Sequence, residues 1–148
     1  MLIGECIKRE IPVILTKFVN HENSPFEQLI GWSDVSQSPE TDLYETISAP
    51  DALVIEKHVY TAFTEEFSRL ADSRGWETII ICGVSTESCV LKTAVDAFEK
   101  GLLPLLITDA CASNLGPDMH AKGLDVLEVL IGKNQLTTTE QLLAALET

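Results

Sequence analysis

Basic residues are scarce in this chain: 10 Lys and Arg stand against 23 Asp and Glu, for a formal net charge of −13. That surplus disfavours nonspecific attraction to nucleic acid and to anionic membrane surfaces, so neither is expected as a partner. Long apolar runs are missing as well. None approaches the roughly 20 residues needed to cross a bilayer, and charges interrupt residues 1–10 where a signal peptide would need an apolar stretch. A cytoplasmic location is the resulting expectation. The four cysteines, Cys6, Cys82, Cys89 and Cys111, contain no CxxC pair and have no histidines at zinc-finger spacing, which reads as reduced thiols. His21, His58 and His120 are too scattered for a metal site, and surface or hydrogen-bonding roles are expected for each. Neither GxGxxG nor GxxxxGK with a following Ser or Thr trails any strand-like run, which leaves a nucleotide-binding Rossmann domain little support. No cofactor is expected.

What is present suits one globular domain with a sizeable core: 148 residues, 45% hydrophobic and 22% charged. Residues 4–10 read as the last turns of a helix, and the apolar run 11–18, rich in β-branched residues, reads as a strand. Residues 20–48 mix turn formers with Phe26, Trp32 and Tyr44 and show no sustained period, as in a long excursion. A second strand is expected at 52–56, then a helix marked by Phe63, Phe67, Leu70 and Ala71 and closed by Gly75. The run 78–83 is apolar throughout, as in a strand covered on both faces of a parallel sheet. Cys89, Val90, Thr93, Ala94, Ala97 and Phe98 share one face of the next helix, ahead of a strand at 103–108. A helix near 119–131, a short strand near 135–137 and a terminal helix begun by Thr138 or Thr139 complete a βαβα rhythm, hence a parallel α/β sheet.

The segment Gly83-Val-Ser-Thr-Glu-Ser-Cys89-Val90 sets a cysteine in the first turn of a helix that follows a strand. Unpaired N–H groups and the positive end of the helix dipole favour thiolate over thiol there, and the same groups can donate to an oxyanion. Cys82 and Cys111, placed within and just beyond strands, are expected in the core or the layer behind it.

Gly83, Thr86, Cys89 and Val90 fill the pattern G-x-x-T-x-x-C-V, and Thr93, Ala94, Asp96 and Ala97 follow as T-A-x-D-A. Together with Thr108-Asp-Ala-Cys-Ala-Ser113 and the loop Lys57-x-x-Tyr60-x-x-Phe63, these residues resemble the isochorismatase-like cysteine hydrolases in order and separation. The resemblance runs from Ile11 to the C-terminus. It implies a Rossmann-like three-layer α/β fold with a parallel sheet of order 3-2-1-4-5-6, the site lying at the strand C-terminal ends where the order reverses. It implies Cys89 as nucleophile and Lys57 as its charge partner. It also implies a cis peptide between Val84 and Ser85, with Val84, Ser85 and Ser88 around an oxyanion hole. Tyr60, Phe63, Thr86 and Trp32 become candidates for a substrate pocket. A homo-oligomer acting on a small-molecule amide or ureide is the expected form.

One part of the pattern is unmatched. The family's first strand ends in a catalytic aspartate, and no segment here corresponds to it; Asp51, Asp96 and Asp109 fall at structural positions of the pattern. The expectation is a domain that lacks this strand, with the strand encoded upstream. Thr16-Lys-Phe-Val-Asn-His-Glu22 also lacks the D-x-H metal pair of metal-dependent nicotinamidases. A noncatalytic binding or assembly subunit is the competing expectation.

Overall fold

A computed structural model describes residues 2–44, 47, 49 and 52–147. They form two compact units, Met1–Val59 and Tyr60–Thr148. Asp51 lies outside the described residues, as does part of the excursion at 20–48.

The first unit holds helix α1 (Leu2–Lys8), strand β1 (Ile14–Phe18), helix α2 (Pro25–Ile30) and strand β2 (Leu53–Lys57). β1 and β2 run parallel, in register from Ile14 opposite Leu53 to Phe18 opposite Lys57. Strand β1 begins at Ile14 rather than Ile11, because the chain first has to leave α1 through Glu10, which stands at positive φ. Within the long excursion at 20–48 the chain forms helix α2, an element that the aperiodic sequence did not place. Ser24 caps it by accepting from the Glu27 amide, Pro25 occupies the first turn where no N–H is needed, and Gly31 closes it. Phe26 is buried on this short helix, its ring edge-on to Phe18 and Trp32.

The second unit holds helix α3 (Glu65–Arg74), strand β3 (Thr78–Val84), helix α4 (Leu91–Glu99), strand β4 (Leu103–Ala112), helix α5 (Pro117–Ile131), strand β5 (Leu136–Thr137) and helix α6 (Thr139–Leu146). Its three strands are parallel in the order β3-β4-β5. The parallel α/β fold expected from the sequence is the one observed. Instead of one sheet, the described strands make two, β1-β2 and β3-β4-β5.

Helix α3 starts at Glu65, two residues after Phe63, because the Thr64 hydroxyl takes the Phe67 amide and fixes the cap there. Gly75 ends it in the left-handed conformation that glycine adopts without a Cβ penalty. The core is built from Ile81, Val90, Ala94, Leu106, Leu127 and Ile131. Two small residues, Ala94 and Ala97, are sealed on α4, whereas Phe98, expected on the same face, is half exposed. Strand β4 runs to Ala112, four residues past the expected end, so Cys111 lies inside it, opposite Gly83. β3 is less covered than its apolar sequence suggested: Ile81 is buried, but Cys82 is exposed, which corrects its placement in the core. Thr138 caps α6 in a box with Gln141, settling where that helix starts. Among the described residues no helix is long and apolar enough to cross a membrane.

Candidate active site around Cys89

Between β3 and α4 the chain makes one wide turn, Thr86–Val90, in which the Val90 amide reaches back five residues to the Ser85 carbonyl at 3.2 Å. Such π-type turns are rare and recur at functional sites. Cys89 sits in this turn and is half-buried. The peptide joining Val84 to Ser85, just ahead of the turn, is cis. Val84 is exposed at the strand end, while Ser85 shares a hydrogen bond with the Asn114 side chain and accepts from the Asn114 amide at 3.4 Å.

Ser85, just before the turn, and its first two residues, Thr86 and Glu87, are tethered to the same place. Besides Ser85, the Thr86 hydroxyl lies 3.1 Å from the Ala112 carbonyl and 2.7 Å from His120 Nδ1. Glu87 Oε1 accepts from Ser113 Oγ at 2.8 Å, and its Oε2 is sealed without a hydrogen-bond partner. The turn therefore rests on the C-terminal end of β4 and the first turn of α5. On the other side, Thr93 Oγ1 donates to the Cys89 carbonyl at 2.7 Å and accepts from the Ala62 amide at 2.9 Å, tying residues 60–64 to the same helix.

These contacts revise several sequence expectations. Thr86 is fully buried, so it braces the turn and does not line an open pocket. The Ser88 amide is engaged by the Ser85 carbonyl at 3.1 Å, which takes it out of the set of free oxyanion donors. Phe63 packs edge-on against Phe67 at 5.0 Å, with Lys100 Nζ 5.5 Å above its ring. It lines a shallow cavity with Ser68, Ala71, Asp72, Lys100 and Leu102, and no residue of the Thr86–Val90 turn belongs to that lining. Tyr60 is exposed. Burial pushes the Cys111 thiol up to about 12, which disfavours the thiolate that a nucleophile needs. Asp109 accepts from the Thr139 amide at 2.8 Å and hydroxyl at 3.0 Å, capping α6. Asp96 is paired with Lys92.

Lys57 and Trp32 belong to the Met1–Val59 unit. Lys57 is buried at 4% exposure, its ammonium 2.8 Å from the Val59 carbonyl and 5.4 Å from the centre of the Phe18 ring. A buried ammonium is costly unless donors and π faces compensate it, so this lysine is not the solvated loop residue its type usually is. Trp32 stacks on Phe18 at 5.7 Å, and its carbonyl accepts from Asn20 Nδ2 at 3.0 Å, which commits it to packing. His58 Nδ1 meets the Val19 carbonyl at 2.7 Å and His21 Nδ1 meets the Glu22 carbonyl at 3.0 Å, hydrogen-bonding roles of the kind expected. Among the described residues no three His, Cys, Asp or Glu side chains converge as a metal site would require.

The fold is thus parallel α/β with a cysteine presented beyond a strand end, in the turn that opens a helix. The sequence model of the isochorismatase domain matches residues 1–141, and the chain belongs to that family. It is 32% identical over 123 residues to Nicotinamidase 3 of Arabidopsis thaliana, covering 75% of this chain and 60% of that one. It is 26% identical over 114 residues to isochorismatase family protein 2A of Dictyostelium discoideum, covering 76% and 52%. The chain thus spans between half and three-fifths of these two relatives. Among solved structures, nicotinamidase of Bacillus subtilis superposes with a TM-score of 0.78 at 25% identity, over 92% of this chain and 80% of that one.

Proposed function

We propose that this protein is a cysteine hydrolase that cleaves a small-molecule amide, ureide or related C–N bond through an acyl-enzyme on Cys89. The observation that carries the reading is the tethered turn itself. It leaves a half-buried sulfur at the end of β3 while Ser85, Thr86 and Glu87 are each fixed by side-chain hydrogen bonds. In this reaction the Cys89 thiolate adds to the carbonyl carbon, and backbone amides of the Val84–Cys89 segment other than that of Ser88 stabilise the oxyanion. The C–N bond then breaks, the amine leaves with a proton, and water hydrolyses the thioester to a carboxylic acid and free thiol. Lys57 is assigned as the cation that balances the negative charge of the thiolate and oxyanion. The proton given up by the Cys89 thiol is the one that the leaving amine takes up. The working form is taken to be a cytoplasmic homo-oligomer.

The name of two matched relatives, nicotinamidase, supports an amide as the bond broken. The test is a screen of small amides and ureides for released amine or ammonia, with mass spectrometry of Cys89. Cys89→Ala should lower turnover by about four orders of magnitude or more while the fold is kept. Turnover retained in that variant removes Cys89 from the mechanism.

A second reading, a noncatalytic binding or assembly subunit, draws on the engagement of Asp96 with Lys92 and of Asp109 with Thr139, neither of which is free to act as a base. Iodoacetamide separates the two readings. Rapid alkylation at Cys89 favours the hydrolase, and a rate no greater than that of glutathione favours the subunit.

A further inference from the structure

We propose that His120 is a positioning residue for the nucleophile: it fixes the turn carrying Cys89 by donating from Nδ1 to Thr86, so that thiol reactivity depends on a side chain 31 positions further along the chain. This rests on the assignment of Cys89 as nucleophile and deepens it.

The direction of the hydrogen bonds follows from valence. The Thr86 hydroxyl has one proton and two partners, the Ala112 carbonyl at 3.1 Å and His120 Nδ1 at 2.7 Å. A carbonyl can only accept, so the hydroxyl proton satisfies Ala112, and Nδ1 is left to donate to Thr86 Oγ1. The chain His120 Nδ1–H to Thr86 Oγ1–H to Ala112 O then joins three elements: α5, the turn and the end of β4. Thr86 has 0% exposure, so no water can replace either partner.

The backbone of α5 supports the same point from below. A Cβ at Gly123, one turn after His120, would lie 3.1 Å from the Glu87 amide nitrogen, 3.1 Å from Thr86 Cγ2 and 3.2 Å from Glu87 Cα. Glycine in a helix interior costs about 1 kcal/mol against alanine, and here its absent side chain lets α5 press directly on the turn. The next residue but one after Glu87 is Cys89. A donor on one side of Thr86 and a helix backbone on the other therefore leave the turn a single seat.

Replacing His120 by Asn and by Gln tests this on the whole chain. Asn can present its amide where Nδ1 sits; Gln presents it where Nε2 sits. The readout is the iodoacetamide rate at Cys89 at one fixed pH, located by mass spectrometry, with exposed Cys82 as control and thermal melting alongside. His120→Asn should keep the wild-type rate. His120→Gln should slow Cys89 by about two- to tenfold, the range one hydrogen bond commands, with Cys82 unchanged. The sign matters, because a turn that has merely loosened exposes its sulfur and speeds alkylation. Equal rates in the two variants, a faster Cys89 in the Gln variant, or loss of its fold overturns the positioning role. Wild-type Cys89 reacting no faster than glutathione is a separate outcome: it removes the nucleophile itself, and the positioning role goes with it.

Discussion

The two units enclose their parallel strands with different materials. Among the described residues, Tyr60–Thr148 buries twelve apolar side chains, Pro104 included, with Leu106, Ile107 and Leu127 at 0% exposure, against two polar ones, Thr86 and Thr93. Met1–Val59 buries three apolar side chains, Cys6, Phe26 and Ile55, and four polar ones, Asn20, Ser24, Thr41 and Lys57. Apolar burial is non-directional and grows with area. Polar burial holds only while every donor and acceptor keeps its partner. Cys89 thus sits on a largely apolar support, whereas the buried lysine sits in a unit fixed largely by hydrogen bonds. The first should fail by cavities and the second by orphaned polar atoms.

The two tryptophans make that contrast measurable, since Trp32 reports on the first unit and Trp76 on the second. The largest effect is expected from Leu106→Ala, at the centre of β4 and fully sealed. It should cost about 3 kcal/mol, within the 2 to 5 that buried leucines lose through transfer and cavity terms, read as a fall in the urea midpoint of Trp76 fluorescence in a Trp32→Phe background. A loss below about 1 kcal/mol would mean that this core relaxes to fill the space and is not close-packed.

A smaller loss is expected from Ser24→Ala in the polar unit. The Ser24 hydroxyl donates to Asn20 Oδ1 at 2.6 Å and accepts from the Glu27 amide at 3.2 Å, and Asn20 in turn holds the Trp32 carbonyl at 3.0 Å. Removing that oxygen orphans the Glu27 amide, leaves Asn20 Oδ1 with the His21 amide as donor, and uncaps α2, for about 1 to 2 kcal/mol. It should appear in the Trp32 midpoint of a Trp76→Phe background. If the Trp76 midpoint moves equally, the units unfold as one and the difference in materials has no separate thermodynamic expression.

Much of the polar unit was hard to read from sequence, and the reason is physical. Hydrophobic period located β3, α4, β4 and α5, because those elements bury an apolar stripe or face. Asn20 and Ser24 carry no period, and their burial depends on partners at residue 32 and residue 27. One local signal was available: Ser24-Pro-Phe-Glu27 is a helix start by its capping residue and its proline. The aromatic residues around it drew attention to pockets instead. At the candidate site, the cysteine turn was legible because its residues are contiguous, and Ser113 was matched only as the end of a strand motif, without a role at the turn. The contacts of His120, Ser113 and Asn114 with the turn were not legible, since only the fold brings residues 112–120 against 85–87. Phe98 misled for the opposite reason: it keeps the helical spacing of its neighbours, yet Ala94 and Ala97 already close the gap to the sheet and leave the larger ring half exposed.

The smallest expected effect concerns a charge in the apolar unit and can be assigned by its pH dependence. Burial pushes the Asp96 carboxyl up, but hydrogen bonds from Lys92 and Thr61 outweigh it and hold the group below its ordinary value. A carboxylate with a lowered folded pKa contributes stability above its unfolded pKa of about 3.9 and loses it as pH falls through the folded value. Lys92 and Asp96 lie four residues apart on α4, a spacing worth about 0.3 to 0.5 kcal/mol on a helix surface, in the less favourable order of cation before anion. Asp96→Asn should therefore lower stability by about 0.5 kcal/mol at neutral pH, and the gap from wild type should shrink as pH falls below the unfolded pKa and close once the folded carboxyl is protonated as well. Trp76-monitored urea curves at several pH values check this. A difference that persists undiminished in acid would show that the substitution acts through the Thr61 contact and the packing of residues 60–64, and that the ion pair contributes nothing.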